Sequence, residues 1–173
     1  MKRFTFFLLL IPFFSSAQFR NSIWCFGDSA MVDFTDTANI TIGSSILRTR
    51  GSCATISDSV GNLLFYAGYD ADVYTIGGPP YQNGEILNRL HQTMLNGDSI
   101  QIQLWYREAV IVNHPGNNNL YYVFTLGVTG GSGFFYSLVD MSLDSGRATH
   151  GGGCYINVPH RLLPNNNWLL TGN

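Results

Sequence analysis

An all-β fold is what the sequence predicts, and three observations carry it. Short runs rich in β-branched and aromatic residues recur along the chain. Clusters of Gly, Asn, Asp and Pro separate them at hairpin-like distances. A strand–turn–strand unit at Ala54–Tyr66 returns about 55 residues later at Ala109–Phe124. A period of about 40–55 residues with several strands per unit suits propeller blades. The fold expected is therefore an incomplete β-propeller-like array of two to three antiparallel blades, with a β-sandwich as the alternative.

The first 17 residues stand apart from that pattern. Lys2-Arg3 is a positive start, Phe4 to Phe14 is an apolar run, and Ser15-Ser16-Ala17 offers small residues for cleavage before Gln18. These are the three parts of a secretory signal peptide. The apolar run covers about 16 Å of a roughly 30 Å hydrocarbon core, too little for a membrane anchor. The domains expected are residues 1–17, a signal peptide, and 18–173, a β-propeller-like region of a longer protein. The mature chain is expected to be secreted or displayed on the cell surface, with no membrane span.

The strand runs are Ile40–Ile42, Ala54–Ile56, Leu63–Tyr66, Ile100–Trp105, Ala109–Val112, Tyr121–Phe124 and Phe134–Val139. Several are apolar at every position, as in strands covered on both faces. Glu85 to Met94 is the best candidate for a single turn or short helix. In the repeated unit each turn carries a Gly-Asn pair, Gly61-Asn62 and Gly116-Asn117, and glycine closes a hairpin by accepting positive φ. Ile56, Leu64 and Tyr66 are expected to match Ile111, Tyr122 and Phe124, all largely buried.

About 156 residues at about 50 per blade make three blades, whereas closed propellers use 4–8. An open array with an unpaired edge is the expectation. It exposes blade faces such as those carrying Trp105, Phe134 and Trp168, and such a chain self-associates.

Composition removes several function classes. Charged residues are 12 %, about half the roughly 25 % usual in soluble domains. The net charge of −2 includes Lys2 and Arg3; without them it is −4, so nucleic acid is not an expected partner. Lys2 is the only lysine, which excludes Schiff-base chemistry by the mature chain. Cys25, Cys53 and Cys154 allow one bridge and one thiol, or three buried small side chains, and the spacing matches no metal knuckle.

No catalytic or cofactor constellation emerges. Asp28, Asp33 and Asp36, or Asp70 and Asp72, could offer oxygen ligands to Ca²⁺, with Asp70 and Asp72 slightly ahead. Neither group has the alternating ligands and distal Glu of an EF-hand loop, and carboxylates in turns usually cap backbone N–H groups. His91, His114, His150 and His160 are scattered, as solvated loop histidines are. Ser57-Asp58-Ser59-Val60-Gly61 departs from the spacing of a sialidase-type aspartate box and reads as a hairpin turn. Gly130-Gly131-Ser132-Gly133 and Gly151-Gly152-Gly153 lack the lysine and helix of a phosphate loop. No cofactor is expected.

An ordered set of motifs adds a resemblance. Ile23-Trp24-Cys25-Phe26-Gly27-Asp28 with Val32-Asp33-Phe34 resembles an "IWYFG…GLDF" opening. Gly51–Asp58 followed by Gly61–Tyr66 resembles "GCATISD…GNLLFY", and Leu87–Gly97 resembles "WNRNHQVMPNG". His114–Thr125 resembles "KPGNPNIYYIFT", and Tyr136–Leu143 resembles "YSVVDMTL". Together they are similar to the N-terminal region of large secreted Bacteroidetes proteins that end in a gliding-motility-associated domain and use the type IX secretion system. The resemblance spans about Ser22 to Leu163. It implies a β-propeller-like region, further C-terminal blades in the full-length protein, and a role in adhesion, surface display or gliding motility. Cys25 replaces an aromatic and Leu87 a tryptophan, and Ala71 to Asn83 reads as an extra loop.

The function expected is a non-catalytic binding or structural module, with a protein or glycan ligand. The alternatives are a propeller-type carbohydrate-active enzyme, drawing on Glu85, Glu108 and the aspartates, and a non-functional truncated gene product. Paired carboxylates about 5–10 Å apart at a loop mouth would mark the enzyme.

Overall fold

The computed structural model describes residues 19–49, 51–69, 84–98, 100–102, 109–127 and 133–142, and the backbone of 154–161. Asp70, Asp72, Trp105, Glu108, His150 and Trp168 lie outside the described residues, as does the whole Ala71–Asn83 loop. The described residues form ten strands and no helix. No helix among them is long and apolar enough to cross a membrane, a statement that does not touch β-barrels.

The strands make three antiparallel sheets. The first holds β1 (Ile23–Phe26), β2 (Asp28–Asp33) and β3 (Thr41–Arg48) in that order. The second holds β4 (Cys53–Ser57), β5 (Leu63–Tyr69) and β6 (Gly84–Asn88). The third runs β10-β9-β8-β7, with β7 at Ala109–Asn113, β8 at Leu120–Gly127, β9 at Gly133–Asp140 and β10 at Cys154–Arg161. Every sheet is a meander of neighbours in sequence, so turn chemistry closes each one. The predicted all-β class is the class observed.

Two apolar layers join the three sheets. Ile56, Phe65, Ala67, Tyr69 and Ile86 from the second sheet meet Ala109, Tyr121, Val123 and Val139 from the third. Phe65 and Tyr121 pack edge to face, ring centroids 5.4 Å apart. On its other face the second sheet meets the first, through Ile23, Cys25 and Leu47 against Leu63, Tyr66 and Leu87. The second sheet is thus a middle layer, apolar on both sides. That is why β5 reads as an unbroken apolar run and is buried from Phe65 to Tyr69.

The two predicted hairpins are present. Ile56 pairs with Phe65, and Ile111 pairs with Val123, so Tyr66 and Phe124 occupy matching places one step further along. Their burial differs from expectation. Ile56 and Tyr66 are buried, but Leu64, Ile111, Tyr122 and Phe124 are only half-buried. The first sheet covers the Tyr66 face, and the matching face of the third sheet is half-exposed.

The turns differ too. Gly61 has φ +99°, as expected of a glycine closing a hairpin, and a Cβ there would lie 2.9 Å from the Thr35 methyl. Gly116 is not among the positive-φ glycines. Its turn is held by side chains instead: the Gly116 N–H donates to His114 Nδ1 at 3.0 Å and the Asn119 N–H to Asn117 Oδ1 at 2.9 Å.

Of the single turn or short helix expected at Glu85–Met94, the helix is not formed, and a turn follows a strand instead. Gly84–Asn88 is strand β6, paired with β5 from Phe65↔Asn88 to Tyr69↔Gly84. The chain then turns at Asn88, whose Oδ1 accepts the N–H groups of Leu90 (2.8 Å) and Gln92 (3.1 Å). That side chain competes directly with helical hydrogen bonding. Residues 93–98 return along β6, with Ile86 bonded to both Gly97 and Met94. Ile100, expected to open a strand, makes one isolated bridge to Gly84.

Candidate functional site

The end sheets of the stack each present an outer face, and both faces are apolar. On the third sheet, strand alternation puts Tyr121, Val123 and Thr125 inside and Tyr122, Phe124 and Leu126 outside. The pairing register builds rows across this outer face. Val112, Tyr122 and Leu138 form one row, and Val110, Phe124 and Tyr136 the next. Leu126 and Phe134 form a third. The rings interlock: Phe124 and Phe134 stack at 5.4 Å with planes 8° apart, and Tyr136 lies against both Tyr122 and Phe124. His114 stacks on Tyr122 at 5.4 Å and closes the turn end of the stripe. The rings are half-exposed, while Val110 at 52 % and Val112 at 43 % are open to solvent.

The first sheet repeats the arrangement at the opposite end. Ile23 and Cys25 point inward, and Trp24 and Phe26 point out. Trp24, Val32 and Ile42 share one cross-strand row, with Trp24 53 % and Ile42 86 % exposed. Trp24 is held by an edge contact to Phe34 and by its Nε1–H donating to the Asn21 carbonyl at 2.8 Å.

Ionisable groups do not converge on either face. Asp33 accepts the Thr35 N–H, and Asp36 accepts Ala38 N–H and the Asn39 amide, bonds that hold its carboxyl below the usual range. Asp58 Oδ1 accepts the N–H groups of Val60 and Asn62, and Oδ2 the Asn62 amide. Partial burial pushes the Asp58 carboxyl up, but these bonds together outweigh it and the net shift is downward. Turn capping, the role read for such carboxylates in the sequence, is what these three do. Glu85 accepts the Thr93 hydroxyl at 3.1 Å. Among the described residues, no group of three His, Cys, Asp or Glu is placed to hold a metal ion.

The histidines read as solvated loops have closer ties. His91 Nδ1 lies 2.9 Å from the hydroxyl of the buried Tyr66, and His114 caps its own turn. His160 stands on β10 at the register position of Tyr136. Of the outer faces, the sequence named Phe134 as an exposed blade-face aromatic, and Phe134 lies half-exposed in the outer stripe of the third sheet. The face of the first sheet went unread, although Ile23-Trp24-Cys25-Phe26 carries the signal: four consecutive apolar residues leave no polar face.

Comparison of the chain with protein-family models, with curated proteins and with solved structures found no match.

Proposed function

We propose that this chain is an exported, non-catalytic binding or structural module whose working surfaces are the outer faces of its two end sheets. The observation that carries this reading is the cross-strand aromatic stripe Tyr122–Phe124–Phe134–Tyr136, flanked by exposed valines. Sheet faces of this composition pack against other sheets. A sugar-binding face would surround the rings with hydrogen-bonding groups; here the row neighbours are Val110, Val112, Leu126 and Leu138, with His114 as a polar neighbour at the turn end. The fitting partner is therefore a protein sheet, such as the further blades of a propeller-like array, and adhesion or gliding-associated surface assembly is the setting that the sequence motifs imply. The engagement of Asp33, Asp36 and Asp58 in turns favours this over a carbohydrate-active enzyme.

The test is sedimentation of the wild-type chain beside a Phe124→Ser/Tyr136→Ser variant. Concentration-dependent association in the wild type, lost in the variant with its circular dichroism unchanged, supports the reading. A wild-type chain that stays monomeric at high concentration, or that turns over a glycan in a manner lost on substituting two of its carboxylates, overturns it. Export is tested by the mass of the secreted product, expected to begin at Gln18.

A further inference from the structure

Cys25 and Cys53 belong to one small apolar cluster between the first two sheets. Cys25 is buried, 2 % exposed, among Ile23, Leu47, Leu63, Tyr66 and Leu87, and Cys53 packs against the same cluster. Strand alternation aims the two sulfurs at each other's sheet. Cys25 sits between the outward Trp24 and Phe26, so its side chain faces the second sheet. Its N–H donates to Thr55 Oγ1 at 3.0 Å, which fixes the Thr55 side chain on the β4 face that looks toward β1. Cys53 precedes Thr55 by two residues in the same strand and so shares that face. The third cysteine, Cys154, is on β10 in the third sheet.

We infer that Cys25 and Cys53 are a dithiol–disulfide pair, and that oxidation by a disulfide-class oxidant staples the first sheet to the second. The structure holds both residues as thiols, its reduced form. Cys53 is half-exposed and reacts first: its thiolate attacks the oxidant's S–S bond, forms a mixed disulfide and releases one thiol. Cys25 is the second to react, because burial, its largest influence, pushes its thiol up to about 12 and the neighbouring Cys53 adds to that rise. Cys25 loses its proton to solvent, its sulfur displaces the oxidant's remaining half from Cys53, and the second thiol leaves. Two protein thiols are oxidised and one oxidant disulfide is reduced. The staple closes the segment carrying β2 and β3, which constrains the unfolded chain.

Trypsin separates the three cysteines. Cleavage at arginine places Cys25 in Asn21–Arg48, Cys53 in Gly51–Arg89 and Cys154 in Ala148–Arg161. The full chain is equilibrated with glutathione disulfide, quenched in acid, alkylated in denaturant and digested. The expected product is Asn21–Arg48 joined to Gly51–Arg89, with melting raised by roughly 5–15 °C over the reduced chain and no such rise in Cys53→Ser. Alkylated Cys25, a stable glutathione adduct on Cys53, or either peptide joined to Ala148–Arg161 overturns the inference.

Discussion

The hydroxyl of Tyr66 lies 2.9 Å from Nδ1 of His91, joining the middle of β5 to the turn that follows β6. A backbone bond from Ile46 reaches the same hydroxyl from the first sheet. The Ile46 N–H donates to the oxygen, and the same hydroxyl pairs with His91 Nδ1. One phenol thus ties three segments together. Burial, its largest influence, pushes the Tyr66 hydroxyl well above its ordinary value and keeps it neutral.

Tyr66→Phe keeps the ring and removes both bonds. The expected loss is about 1–2 kcal/mol in denaturant unfolding. His91→Ala should cost less alone and add little in the double variant, since the bond it removes is one that Tyr66→Phe has already removed. Fully additive losses would show that the two residues act separately.

Asp58 makes the β4–β5 turn pH-sensitive. Its carboxyl is lower in the folded chain than in the unfolded one, so its contribution is present above the unfolded value, about 3.9. That contribution is lost as pH falls through the folded value. Asp58→Ala should cost about 1 kcal/mol at pH 7 and less under acid conditions, where both states are protonated and the neutral carboxyl accepts the same N–H groups more weakly. A cost that is the same at both pH values would rule out the charged cap.

Gly84 has no room for a side chain. A Cβ there would run into Ile102 and Ile100 and would sit 2.8 Å from the Ile100 carbonyl oxygen. Gly84→Ala is expected to destabilise by about 1–3 kcal/mol, read by thermal melting. Gly27→Ala offers a contrast: its positive φ of 61° is strained for alanine, but nothing lies within 4 Å of the added carbon.

Ser57 Oγ is buried with no hydrogen-bond partner among the described residues. Ser57→Ala removes an unsatisfied polar atom, so stability should hold or rise by up to about 1 kcal/mol. A clear loss would reveal a partner for that hydroxyl.

The strands were legible where β-branched and aromatic residues cluster, as in Leu63–Tyr66 and Tyr121–Phe124. Their turns were legible through Asp58 and Gly61. The Glu85–Met94 segment misled because Ile86, Leu90 and Met94 fall four apart, a helical spacing. The outcome there hangs on Asn88 folding the chain back on itself, a contact that periodicity does not encode. Burial was legible only as potential. Tyr66 and Phe124 hold matching hairpin places, and what separates them is whether another sheet covers that face. Of the two outer faces only Phe134 was foreseen as exposed, since an apolar run looks the same whether its second side is covered or bare.

The middle position of the second sheet also sets an order of opening. Amide hydrogens of β5 are bonded to strands on both edges and roofed by side chains above and below, so they can reach solvent only when the whole stack comes apart. Those of β1 and β7 need only a peripheral sheet to lift. Deuterium should therefore enter the two outer layers first and reach Phe65 to Tyr69 last, at a rate reporting global unfolding.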